Sequence, residues 1–170
     1  MPRTFVQGLA FLIGFWIALA LSPFCVRVAR ADEVADAHAE LEARFHQAVN
    51  AVRAERHLIP LDRDRSLDAV ARAHSADMAA RRYLSHVNPE GANPLQRIQA
   101  AGISGFTLAA ENAGQTSFAE PTQEILRGWI ASPDHRRNLY TPPFNRTGIG
   151  FARAADGTWY VTQLYVSVPR

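Results

Sequence analysis

Cysteine is almost missing from this chain and lysine is missing altogether: there is one cysteine, Cys25, in 170 residues, and all 18 basic residues are arginine. With a single thiol no intrachain disulfide can form, so the fold must be held by packing alone. The arginine-only basic set reads as compositional bias before it reads as function. There is no glycine-rich phosphate loop after a strand. No serine or cysteine stands in a convincing nucleophile setting either, since Ser132, close to His135, is explained more simply as a helix cap.

What is present begins with an apolar run over residues 5–24 behind Met1-Pro2-Arg3, followed by Ala29-Arg30-Ala31. A basic start, an apolar core and a small-x-small triplet predict a secretory signal peptide over residues 1–31, cleaved after Ala31. The alternative is an uncleaved membrane anchor made by residues 5–24, because a run of about 20 residues can span a bilayer. Cleavage leaves 139 of the 170 residues, enough for one domain over residues 32–170 and not for two. It also removes Arg3, Arg27 and Arg30, so that 15 basic residues face 16 acidic ones. No basic excess survives to recruit nucleic acid. The expected location is secreted or periplasmic.

A first helix is predicted over residues 33–57, where Leu41, Phe45, Val49 and Val52 recur at helical spacing while Glu40, Glu42, Arg44 and Arg53 fall elsewhere. A second is expected over residues 66–82, capped by Ser66, with Leu67, Val70, Ala71, His74 and Met78 on its buried face. His74 there reads as a core histidine bonded to a backbone carbonyl or to Asp77 or Ser75, with a ligand or base as the alternative. His38, His46 and His57 keep no ligand spacing with a second polar group and are expected to be solvated. Asn93-Pro94 starts a short third helix with Leu95, Ile98 and Ala101 inward, stopped by Gly102. Residues 121–131 form a fourth, with Ile125, Leu126 and Trp129 inward.

Three polar groups stand out between these helices. His86 lies in the turn-rich connection after the second helix, where side chains tend to be functional. Glu111 is the only acid between Glu90 and Glu120 and sits among small apolar residues. Burying it is costly unless it is paired or protonated, which makes it a site candidate; the alternative is a carboxylate that caps the amides of a neighbouring loop. His135 follows Ser132-Pro133-Asp134. Pro133 pushes Ser132 out of the helical region and ends the fourth helix, so His135 stands on a fixed corner with Ser132 or Asp134 as its cap.

Two strands close the chain, over residues 146–154 and 158–168, joined through Ala155-Asp156-Gly157, a hairpin signal. One face of the second carries Trp159, Val161 and Tyr165, the other Tyr160, Leu164, Val166 and Val168. A sheet apolar on both faces must be covered on both, so the expected fold is a three-layer α/β/α sandwich with a small central antiparallel sheet. Gly148 and Gly150, alternating with Ile149 and Phe151, predict close approach of a helix or loop on their face.

Taken in order, Ser85-His86, Asn88-Pro89 with Gly91, Glu111-Asn112-Ala113, the stretch from Trp129 through Ser132-Pro133 and His135-Arg136 to Asn138, and Gly148-Ile149-Gly150 before an aromatic strand resemble the CAP superfamily. These are the SCP-domain proteins, which include the cysteine-rich secretory proteins, antigen 5 and the pathogenesis-related proteins. The resemblance is to their cysteine-poor bacterial branch and covers about residues 45–168. It implies an α/β/α sandwich around a cleft lined by two histidines and two acids, which can take up a divalent cation, and ligands that include sterols and other lipids. His86 matches the first histidine and Glu111 the first acid, and His135 stands at the second histidine's distance before the Gly-x-Gly strand. The second acid has no match: its position falls at or near Ser132, with Asp134 only a neighbour.

Two functions are compatible with these residues. The first is a non-catalytic, monomeric module needing no cofactor, whose cleft at His86, Glu111, His135 and Ser132 binds a small ligand, a lipid or cell-envelope material, with membrane contact only through an uncleaved leader. The second is a peptidase-like hydrolase in which His86 and His135 hold Zn²⁺ and Glu111 is general base or third ligand. The intervals of 25 and 24 residues between them match no helical metal motif.

Overall fold

A computed structural model of the chain describes residues 23–169, with side chains from residue 36. The apolar run of the expected leader lies outside the described residues. Helix α1 (Pro23–Ala54) passes without a break through the Ala29-Arg30-Ala31 triplet and starts ten residues earlier than residue 33. It buries Leu41, Phe45 and Val49 as its spacing requires. Two charged residues on it are buried instead of solvated. Glu42 is fully enclosed and bonds Arg63 at 2.9 Å and Arg72 at 2.5 Å. Arg53, equally enclosed, donates to the carbonyls of Ile59, Leu139, Thr141 and Phe144. Helical spacing shows which positions turn inward only on average; a charge enters the interior where partners wait for all its hydrogen-bonding atoms. His46 is likewise drawn in, to the Leu61 carbonyl at 2.7 Å, and His38 packs its ring edge-on against Trp159. His57 is exposed, at the left-handed residue that closes the turn after α1.

After strand β1 (Asp62–Arg63), helix α2 (Arg65–Arg81) is capped by Asp64, whose carboxylate accepts from the amides of Ser66 and Leu67, and not by Ser66. Helix α3 (Pro94–Ala100) has the expected Asn93 cap, completed by Gln96 reaching back to the Asn93 amide. Ile98 is its buried residue, while Leu95 and Ala101 are exposed. Then come strand β2 (Leu108–Thr116), helices α4 (Pro121–Ala131) and α5 (Pro133–Leu139), and strands β3 (Arg146–Arg153) and β4 (Trp159–Ser167).

The strands form one sheet in the order β1-β3-β4-β2, antiparallel except for the two-residue β1, which runs parallel to β3. One face of β3 and β4, with Ile149, Phe151, Trp159, Val161 and Tyr165, packs on α1, α4 and α5. The other, with Leu164, Val166 and Tyr160, packs on α2, with Ile98 of α3 alongside. This is the three-layer α/β/α sandwich required by a strand pair apolar on both sides.

Gly148 and Gly150 are the reason α2 can lie flat on β3. A Cβ on Gly148 would come within 2.1 Å of the Leu67 carbonyl carbon, and one on Gly150 within 2.2 Å of the Arg72 amide nitrogen. Both obstacles are helix backbone, which cannot swing aside. Gly148→Ala is therefore expected to lower stability by about 3 kcal/mol, the upper end for overpacking, read as a shift in urea midpoint. A midpoint within error of the wild type would show that α2 is not seated there.

Candidate functional site

Glu111 is placed by β2, an edge strand that a reading for strand propensity passes over. Leu-Ala-Ala-Glu-Asn-Ala-Gly-Gln-Thr contains a single β-branched residue, its last, and becomes a strand because β4 offers nine consecutive pairing partners. Its side chains alternate between the two helical layers. Asn112 faces α5, where its amide donates to the His135 carbonyl at 3.0 Å and to the Tyr165 hydroxyl at 3.1 Å. Glu111 therefore faces the opposite layer, toward α2 and α3.

There the carboxylate is sealed, with 1% of the side chain exposed. Oε2 accepts from Arg97 Nη2 at 2.5 Å and Oε1 from His86 Nδ1 at 2.8 Å, with His74 Nε2 4.0 Å from Oε1. Arg97, on α3 and itself only 12% exposed, also donates through Nη1 to the carbonyls of His86 and Ala92. One guanidinium thus neutralises the buried acid and fixes the loop that carries His86. His74 donates Nε2–H to the Ser85 carbonyl at 2.9 Å, as a core histidine should, while its Nδ1 and Arg97 Nε are buried without a hydrogen-bond partner.

The imidazoles are tuned in opposite directions. The hydrogen bond that its Nδ1–H donates to Glu111 holds His86 above the ordinary histidine value. Burial pushes His74 below it, against the pull of Glu111. Burial also lowers His135, with the charge of His86 acting in the same direction. No hydrogen bond joins His135 to Glu111 or His86; its ring lies tilted at 32° over Trp129, 5.9 Å away.

The corner at Pro133 forms as its sequence dictates, with Ser132 extended at φ −80°, ψ 124°. Neither Ser132 nor Asp134 caps α5 through its side chain. Asp134 instead pairs with Arg137 at 3.1 Å in full solvent exposure, where such a pair contributes little. The corner is pinned from the sheet: Asn138 donates to the Glu111 carbonyl at 3.1 Å and to Asn112 Oδ1 at 2.9 Å. Behind Asn112 the buried chain continues from Tyr165 to Gln163 and Thr147, each bonded to the next.

The site therefore straddles the outer edge of β2. Glu111, His74 and Arg97 lie under one face, His135 and Ser132 on the other, and His86, with 51% of its side chain exposed, stands at the rim. Beside His135 a groove of about 550 Å³ is lined by Leu84, Gln115, Phe118, Ile125, Trp129 and Ser132. A larger hollow of about 770 Å³ lies away from this site, between α1, α2 and the β3–β4 turn.

The residues do not fit a zinc centre. Among the described residues no three His, Cys, Asp or Glu side chains are grouped to share a metal ion. Both Glu111 oxygens are committed, one of them to a guanidinium that would repel a second cation. Arg97, His74 and Asn138 belong to the site although spacing did not nominate them. The one available signal was the lone acid itself, which demands a cationic partner without saying where in the chain it lies.

Two measurements check this electrostatic layout. Arg97→Ala strips the counter-charge from a sealed carboxylate and is expected to lower stability by about 3 kcal/mol in urea unfolding. In an NMR titration His86 should titrate above His74 and His135, and Glu111→Gln should bring it down. Because the fold raises the His86 pKa, its ion pair stabilises fully below pH of about 6.5 and is lost as pH rises through the raised value. A His86 that titrates below His135 in the wild type would contradict the assignment.

The model of the cysteine-rich secretory protein family, CAP, matches residues 46–165. The uncharacterized protein YkwD of Bacillus subtilis is 31% identical over 115 residues, 68% of this chain and 44% of that protein. The uncharacterized membrane protein YlbC of the same organism is 27% identical over 125 residues, 74% of this chain and 34% of its own. The chain thus spans less than half the length of these curated relatives. Among solved structures, an extracellular SCP-domain protein from Bacillus anthracis superposes with TM-score 0.67 at 28% identity, over 76% of this chain and 41% of that one. An outer surface protein from Borrelia burgdorferi superposes with TM-score 0.69 at 20% identity, over 76% of this chain and 94% of its own, a likeness of fold. With its family model, its sandwich and its extracellular relatives in agreement, this chain belongs to the CAP family.

Proposed function

We propose that this chain acts outside the cytoplasm as a binding module, whose ligand enters at His86 and the groove beside His135 and leaves unchanged. The observation that carries this reading is the state of Glu111. A carboxylate sealed from water and held by Arg97 and His86 is a poor general base, since it must give up a charge-assisted bond to accept a proton. Ser85 and Ser132, the serines next to His86 and His135, do not hydrogen-bond either imidazole; Ser85 accepts from the Val87 amide instead. The extracellular and outer-surface relatives support a secreted or periplasmic setting. Among the described residues no helix is long and apolar enough to cross a membrane. The ligand class spans small molecules, lipids and cell-envelope components.

Calorimetric titration with phospholipid vesicles, soluble cell-wall fragments and short peptides should find one class that binds, and His86→Ala or His135→Ala should weaken it about tenfold, roughly 1.4 kcal/mol. The reading fails if the bound class is consumed. Metal analysis is a separate check on the hydrolase. Less than stoichiometric zinc is expected, and a full equivalent that disappears in His135→Ala would replace the binding module with the metal enzyme.

A further inference from the structure

The larger hollow, between α1, α2 and the β3–β4 turn, takes no part in the site above, and its origin lies in the sheet. Strand β1 pairs with β3 only at Arg146 and Thr147. Beyond Thr147 no strand among the described residues covers the outer edge of β3, so α1 and α2, packed on opposite faces, confront each other past that edge. Glu42 of α1 meets Arg72 of α2 there at 2.5 Å and closes one end of the hollow. From Arg72 the helix runs on to Arg82, about 15 Å further along its axis, beside the β3–β4 turn.

The space between these ends stays open because small side chains bound it. Ala76, Ala79 and Ala80 line it from α2, and Ala152 and Ala154 from the end of β3, with Phe151 beside them. Each alanine ends at Cβ, so the bed is flat and apolar. The volume, about 770 Å³, falls within the range of about 300–1,000 Å³ usual for small-molecule sites. The open end is basic. Arg82 and Arg153 line it, both exposed, and among the described residues neither has a carboxylate within 4.0 Å. Arg153 commits Nε to the Gly157 carbonyl at 3.2 Å and lies over the Trp159 ring, with both terminal nitrogens left to donate. Arg72, by contrast, is neutralised by Glu42. The other acid on the lining is Asp36 of α1, so two guanidinium groups face one carboxylate and the opening is positive.

We propose that this hollow binds a small organic acid, its flat apolar ring on the alanine bed and its carboxylate held between Arg82 and Arg153. A guanidinium meets a planar anion with two parallel N–H bonds, which suits a carboxylate at the open end. A ring lies flush on a bed without side chains beyond Cβ, and few of its bonds have to be ordered on binding. A long acyl chain with its head at the same arginines would drive its tail onto the Glu42–Arg72 pair, where apolar carbon displaces water from charges and offers them nothing in return. The site is separate from the cleft at His86 and does not depend on what that cleft binds.

The test uses the full chain and naphthalene-2-carboxylate in calorimetric titration. Binding with Kd below about 1 mM is expected. Naphthalene-2-methanol, the same ring without the charge, should bind at least about tenfold more weakly. Arg82→Gln and Arg153→Gln, both at exposed positions, should each weaken the acid about tenfold. Ala76→Trp, which fills the bed from an exposed position on α2, should abolish binding. In NMR spectra the ring of His38, on the wall of the hollow, should shift when the acid is added while the rings of His86 and His135 stay. The proposal is overturned if the acid does not bind, if the alcohol binds as well as the acid, if Ala76→Trp leaves the affinity unchanged, or if His135 shifts in place of His38. Palmitate that displaces the ring and binds more tightly than it does would also overturn it, in favour of an acyl chain. Acid against alcohol on the wild type decides the matter should a variant fail to fold.

Discussion

Backbone against backbone, α2 on β3, is the contact from which the rest of this domain is measured. Two missing side chains, at Gly148 and Gly150, let the helix approach until its own main chain touches the strand. Nearby polar groups lock the approach. Ser75 donates to the Gly150 carbonyl at 2.9 Å, and Asp68 accepts from the Ile149 amide at 2.8 Å. The distance of α2 from the sheet sets where His74 stands under β2 and where the chain leaves the helix to become the His86 loop. The geometry of the site is thus inherited from a packing contact on β3, two strands away from the β2 edge.

On that frame sits one buried charge with a partial ring of partners. Sealing a carboxylate is unfavourable by several kcal/mol unless it is paired, and Glu111 is paired by a residue that also ties down the loop above it. Arg97 couples α3, the His86 loop and β2 through a single side chain. Arg53 does the equivalent on the other side of the molecule, holding the end of α1 to the segment between α5 and β3. A domain without disulfides is fastened here by arginines on carbonyls and carboxylates, each bond directional and each guanidinium tied to several places in the chain.

The opposed tuning of the histidines follows from the same arrangement. His86 is at the rim with a carboxylate behind it, and gains proton affinity; His74, enclosed, and His135, half-buried, lose it. At the edge of β2 the molecule therefore carries a histidine of raised proton affinity beside an apolar groove, with the acid that raises it out of reach below.

The sequence by itself determined the helices, the hairpin, the glycine seat and the order of the family's motifs, because each is a local matter of period, proline, glycine and apolar alternation. It also singled out Glu111, His86 and His135 as residues needing an explanation. It could not show β2, whose small side chains have little strand preference and which is a strand because of the length of β4 beside it. Nor could it show that Glu42 and Arg53 are interior, since the groups that satisfy them lie from 6 to 91 positions away along the chain. Only the tertiary structure decided that Arg97 meets Glu111 and that the site straddles the outer edge of β2, because both follow from which segments the sheet brings side by side.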